Sequence, residues 1–267
     1  MTRRKLLSTC GVVATGIFAG CGSSLSGSSD SSNVLKNVPW PTVSDQMDGW
    51  EQIGNQKKDR GEVGGNSVYT KTRVWEDIAL RQDVKEETLG QFDSTMAQFF
   101  ATFIDLEGMT TGLAGAGKIA DSVVSGFRER VRSSGVKGLS SAATQNPAPE
   151  PDSDVVVREF KGYYRTPRIR RTATINGVGE REVVFQPQRL SIRAMFAVWK
   201  IKSGEAFAAG GAFPERDYEG RSRLSVTSEK DDGIDLIVEV DLNLQPQRIR
   251  REVVNLVEKV EKGQTSL

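Results

Sequence analysis

Apolar positions along the chain recur with two different periods. Residues 50–58 and 67–75 alternate and predict strands, separated by the polar, glycine-rich stretch 57–66, which reads as a loose hairpin connection. Phe92, Met96, Phe99, Phe100, Phe103 and Leu106 then fall three and four residues apart, which predicts a helix that Gly108 ends. Ile119, Val123, Phe127 and Val131 make a second helical stripe, with Arg128, Arg130 and Arg132 pointing elsewhere. Residues 140–154 contain Asn146-Pro147-Ala148-Pro149-Glu150-Pro151 and predict an extended linker.

The second half is strand-rich. Ile169, Ala173 and Ile175 alternate with polar neighbours up to the tight-turn pair Asn176-Gly177. Residues 190–201 are apolar on both parities, which suits a strand covered on both faces. Lys202-Ser203-Gly204 turns the chain into residues 205–213. After the turn signal Asp232-Gly233, Ile234, Leu236, Val238, Val240 and Leu242 alternate with acidic residues. A last helix begins near Pro246, with Ile249, Val253, Leu256, Val257 and Val260 on one face. Strands joined by tight turns imply antiparallel pairing. The expected fold class is therefore α+β, a mostly antiparallel sheet with about three helices packed on it. Each half alone has a thin core, so residues 34–262 are expected to form one domain with a Pro-rich loop near 140–154, followed by a tail at 263–267.

The N-terminus carries a different kind of signal. Thr2-Arg3-Arg4-Lys5 precedes a moderately apolar stretch, residues 6–19, too short and too polar to span a bilayer. A positive head, an apolar middle and a small-residue exit are the layout of an export signal, and the Arg3-Arg4 pair resembles the twin-arginine class. The exit Phe18-Ala19-Gly20-Cys21 resembles a lipobox, which implies cleavage before Cys21 and lipid on its sulfur. Residues 1–20 are then a signal peptide and 21–33 a lipidated tether. Of the twelve residues 22–33, seven are serine and two glycine, a composition with a reach on the order of 20 Å. The expected location is the extracytoplasmic face of the cell membrane, with the membrane itself as a partner through Cys21.

Composition narrows the chemistry. The 267 residues hold 36 basic and 35 acidic side chains and no histidine. After cleavage 33 basic face 35 acidic residues, which gives no electrostatic case for nucleic acid. Without histidine, His-based acid–base chemistry and His-activated nucleophiles are absent. The two cysteines, Cys10 and Cys21, both lie in the N-terminal segment, so the body offers neither a disulfide nor a thiolate. No cofactor and no metal site is expected.

Ala197-Val198-Trp199-Lys200, the run Ala208-Ala209-Gly210-Gly211-Ala212-Phe213-Pro214 and the upstream strand Arg158-Glu159-Phe160-Lys161-Gly162 resemble segments of an uncharacterised haloarchaeal twin-arginine lipoprotein family, a domain of unknown function. That resemblance implies a location and a lineage, not a mechanism. A looser, fold-level similarity is to PsbP-like extracytoplasmic modules, which open with a Gly-Trp such as Gly49-Trp50 and set helices against an antiparallel sheet.

Three motifs invite chemical readings. Gly112-Leu113-Ala114-Gly115-Ala116-Gly117-Lys118 has P-loop spacing, but Ile119 stands where magnesium binding needs Ser or Thr, and the upstream stretch reads as helix; a Gly-rich link between helices is the expectation. Arg165-Thr166-Pro167-Arg168-Ile169-Arg170-Arg171 is the densest basic cluster and could serve an anion or headgroup, though a solvated strand face cross-paired with Glu180 and Glu182 accounts for it better. Asp231, Asp232 and Asp235 lack the spacing of a calcium loop. The functional expectation is a non-catalytic, lipid-anchored surface module binding an envelope protein or a ligand. The alternatives are a carboxylate-based hydrolase, for which no pair of acids is marked, and a solute-binding accessory of a transporter.

Overall fold

A computed structural model describes residues 38–44, 48–63, 66–106, 116–142, 155–176, 179–202, 204–228 and 231–263. Arg3, Arg4 and Cys21 lie outside them, as do Gly108, Gly112–Gly115, Gly177 and most of the Pro-rich stretch. In chain order the elements are β1 (Pro41–Val43), β2 (Trp50–Val63), β3 (Asn66–Asp77), α1 (Ile78–Glu87), β4 (Gln98–Leu106), α2 (Ala116–Ser133) and β5 (Lys137–Ala142). They continue with β6 (Val155–Arg165), β7 (Ile169–Ile175), β8 (Gly179–Phe185), β9 (Arg189–Lys202), β10 (Glu205–Pro214), β11 (Glu219–Ser228), β12 (Asp231–Asp241), α3 (Pro246–Glu258) and β13 (Val260–Lys262).

Seven strands form one antiparallel sheet in the order β2-β3-β4-β10-β9-β6-β5, so strands from both sides of the Pro-rich stretch interleave. The fold is α+β, as the alternation of patterns implies. β7–β8 and β11–β12 are separate hairpins, and β1 pairs with β13. α2 packs on one face of the sheet, over β9 and β6. There Phe127 sits among Phe196, Phe100 and Phe160, with ring centroids 4.8, 5.3 and 5.5 Å away. α3 lies on the other face, over β10 and β4. Its Val253 side chain comes so close to Gly211 that a β-carbon there would stand 3.1 Å from it.

Three local expectations are corrected. Residues 98–106, read as helix, are β4. Phe99, Ala101 and Phe103 face α3, while Phe100 and Ile104 face α2, and all five are buried. A strand covered on both faces is apolar at every position, so spacings of three and four arise in it incidentally. The helix in this region is instead α1, which hides only Leu80 and Val84 and therefore shows a weak stripe. Its start is fixed by Asp77, whose carboxylate accepts a hydrogen bond from the Leu80 N–H at 2.9 Å. Asp232-Gly233 is not a turn: both residues lie within β12, where the alternation simply begins earlier. The first hairpin is also longer than expected, its ladder running on to Val63 and Asn66.

Candidate functional site

Because α3 sits over β4 and β10, the same face of β9 and β6 is left open. The alternation of β9 that puts Phe196 against α2 puts Met195, Ala197 and Trp199 on this open side, and β6 adds Val155 directly opposite Trp199. These four side chains floor a groove of about 1150 Å³ that Val254 and Val257 of α3 wall. Its size is that of a small-ligand site. The rim is charged: Arg250 and Arg251 come from one turn of the helix, and Glu258 from its end about two turns later. Arg251 is exposed and makes no ion pair among the described residues. Trp199 is half-buried and is the last member of an aromatic row, its ring 5.5 Å from Phe207, which stands 5.4 Å from Phe103.

Two arginine-centred clusters anchor the helix beside this groove. Arg193 is buried between two acids. Its Nη1 donates to Glu159 at 2.8 Å, and its Nε and Nη2 donate to Glu215. Burial opposes the charge, but the hydrogen bonds to Glu215 and Glu159 outweigh it and raise the Arg193 pKa. Arg250 approaches the same Glu159 at 3.9 Å. At the other side of α3, Arg248 donates to Asp77 at 2.9 Å and to both oxygens of Glu252, which also accepts the Trp50 indole N–H at 3.0 Å. Burial holds the Asp77 carboxyl above its ordinary value, although the Leu80 N–H and Arg248 pull the other way. Every one of these carboxylates has a guanidinium interposed. That arrangement holds charge in place and clamps α3 to the sheet, whereas acid–base hydrolysis needs two acids facing an open substrate position.

The residues singled out in the sequence fare unequally. Gly117 and Lys118 open α2, and the strand β4 precedes them, so the expected upstream helix is overturned. Ile119, at the position where magnesium binding needs a hydroxyl, is fully buried in the core. Arg170 pairs with Glu182 at 3.3 Å across the β7–β8 hairpin, and Arg171 with Glu87 at 3.3 Å. Arg165 and Arg168 make no ion pair among the described residues. Asp235 pairs with Arg223 across β11–β12. Among the described residues no three acids, cysteines or histidines cluster as metal ligands, and no helix is long and apolar enough to cross a membrane. The groove itself was missed, since its floor reads only as a doubly covered strand. No protein-family model, curated protein or solved structure matches the chain.

Proposed function

We propose that this chain is a lipid-tethered, extracytoplasmic binding module, without chemistry of its own, whose groove between α3 and the β6–β9 face takes an apolar or amphipathic ligand. The observation that carries this reading is the groove with an apolar floor of Met195, Ala197 and Trp199 beneath a helix wall bearing Arg251, which is exposed and makes no ion pair among the described residues. Met195 and Ala197 are themselves buried, so the surface left to a ligand is the half-buried Trp199 ring and the wall of α3. Anchoring through Cys21 rests on the Arg3-Arg4 start, the Phe18-Ala19-Gly20-Cys21 exit and the serine-rich stretch behind it.

Two measurements test the two halves separately. Titration of the full chain with anilinonaphthalene sulfonate, an anionic apolar fluorophore, should show saturable binding at the groove. Val254→Asp, which places a carboxylate on the wall, should weaken that binding about tenfold while leaving the melting temperature nearly unchanged. Equal binding by wild type and variant excludes the groove as the site. Mass spectrometry of the N-terminal peptide should show lipid on Cys21, and Cys21→Ser should abolish lipid labelling. An unmodified Cys21 in the mature chain, or a chain still starting near Met1, removes the anchoring half.

A further inference from the structure

We infer that the open face of β5–β6–β9 is a docking surface for a membrane bearing anionic phospholipid headgroups, with a cationic patch around Tyr163 as its contact. The inference rests on the membrane-tether reading for its biological setting and on the following geometry for its substance.

On β6, side chains of alternate residues share the groove's face: Val155, Val157, Glu159, Lys161, Tyr163 and Arg165. On β9 the partners are Trp199, Ala197, Met195, Arg193, Ser191 and Arg189. The face therefore changes character along its length, from the apolar groove through the buried Glu159–Arg193 pair to a basic end. At that end Arg165 stands directly opposite Arg189 in the ladder, which puts their β-carbons about 5 Å apart. Like charges in that position repel, and neither arginine makes an ion pair among the described residues. Lys161 follows on the same strand, and Lys137 of β5 is opposite Tyr163. All four cations are exposed. Glu159, the one acid within β5, β6 and β9, is committed to Arg193, as is Glu215, whose N–H donates to the Ser191 carbonyl.

The patch is also built rather than accidental. The Arg189 guanidinium lies over the Tyr163 ring, 4.6 Å from its centroid. That ring in turn rests against Gly138, at a bulge in the β5–β6 ladder. The arginine is thus held above the sheet by a stacked platform, available to an oxyanion.

Two further observations select a membrane. The half-buried Trp199 and the apolar floor share this face, and an aromatic with one wet edge suits the level of lipid headgroups. The chain enters the described fold on the same side of the sheet, but at β3. The carbonyl of Val38 accepts a hydrogen bond from Lys71, and Trp40 lies beneath the Lys71 ammonium at 5.2 Å, with Lys71 on the α3 side of β3. The entry point therefore shares the patch's side of the sheet rather than the α2 side, with β4, β10 and the covering α3 between it and β9.

The test uses the full chain carrying Cys21→Ser, so that no lipid contributes. Co-sedimentation with vesicles of phosphatidylcholine alone and of phosphatidylcholine with phosphatidylglycerol should show binding to the anionic vesicles only, weakening as salt rises. Arg165→Glu with Arg189→Glu should lower vesicle affinity by at least tenfold. Arg132→Glu with Lys118→Glu, two exposed cations of α2 that match the change in net charge, should leave it unchanged; thermal melts check that all variants are folded. Equal loss with this α2 pair reduces the effect to net charge and overturns the proposal, as does equal affinity for the two vesicle types. Saturable binding of inorganic phosphate at the patch with no vesicle binding reassigns it to a free anion and also overturns the docking surface. Failure of lipid labelling at Cys21 leaves all these outcomes readable.

Discussion

The ring of Tyr163 rests on Gly138, so closely that a β-carbon on that glycine would stand 2.9 Å from the ring's Cε1. Gly138 also has φ of +63°, a left-handed conformation that costs other residues about 1–2 kcal/mol. Its neighbour in sequence, Tyr164, has the same relationship with Gly135, at 2.8 Å and φ of +95°. The connection from α2 into β5 thus seats two successive tyrosines on opposite faces of the sheet. Gly138→Ala should lower stability by about 1–3 kcal/mol in denaturant unfolding. Gly126→Ala, in the exposed interior of α2 with open space around it, should instead raise stability by about 0.5–1 kcal/mol.

Phe127 joins α2 to three strands of the sheet through Phe100, Phe160 and Phe196. Phe127→Ala removes the centre of that cluster and should cost about 3–5 kcal/mol, read as a lowered denaturation midpoint at constant slope. Phe127→Leu should recover most of the loss.

Arg193→Ala takes the nearer guanidinium from the Glu159 carboxylate, whose side chain is 1% exposed, and leaves it only the longer contact to Arg250 at 3.9 Å among the ion pairs described above. The expected cost is about 2–4 kcal/mol, since a buried charge that loses its closest partner is the expensive outcome and Arg250 offsets only part of it. Arg193→Met combined with Glu159→Leu removes both charges and should be far milder than the single substitution. A double variant as unstable as the single one would show that shape, not charge, sets the penalty.

Acid stability should carry two contributions of opposite sign. Hydrogen bonds from Lys85 and Arg81 hold the Asp93 carboxyl below its ordinary 3.8, so its contribution is complete above that value and is lost as pH falls through the lower folded value. Asp77 is the reverse. Burial raises its pKa, so the folded state binds the proton more tightly, and the contribution is greatest below 3.8 and declines as pH rises through the raised value. Thermal melts between about pH 3 and pH 7 check both. Asp93→Asn should flatten the acid limb. The melting-temperature gap between wild type and Asp77→Asn should be widest at the acid end.

Lys118→Ala should change no nucleotide affinity, because the helix start it occupies lacks a hydroxyl for magnesium and Ile119 is committed to the core. Calorimetry with ATP and magnesium is the check. A specific binding isotherm in wild type that vanishes in the variant would return the P-loop reading.

The alternating strands and the two strongly amphipathic helices were legible because each buries one face and leaves the other wet. β4 was not, because burial on both sides erases the period that distinguishes strand from helix. α1 was hidden for the opposite reason: with only Leu80 and Val84 covered, its local signals are the Asp77 cap and a faint i, i+4 pair. The groove depends on which strands α3 covers, and that choice is fixed by pairs such as Asp77–Arg248, 171 residues apart. Alternation shows that β9 has two apolar faces; only tertiary structure shows that one of them is left half open. The basic cluster split in the same way, with Arg170 paired across its hairpin and Arg165 set against Arg189, a neighbour that register alone reveals.

The pairing of β1 with β13 has a mechanical consequence. The chain's entry and its last described strand are stitched together, the Gly263 N–H donating to the Trp40 carbonyl at 2.8 Å and the Ser44 N–H to the Lys259 carbonyl at 3.1 Å. β13 follows α3 after a single residue. A pull transmitted through the segment before Val38 is therefore borne by the Lys71 contacts to Val38 and Trp40 and then by this three-residue seam, beyond which the next element in line is the helix that walls the groove. Under the proposed anchoring, tension on the chain would reach the helix that walls the groove through the shortest strand ladder among the described residues.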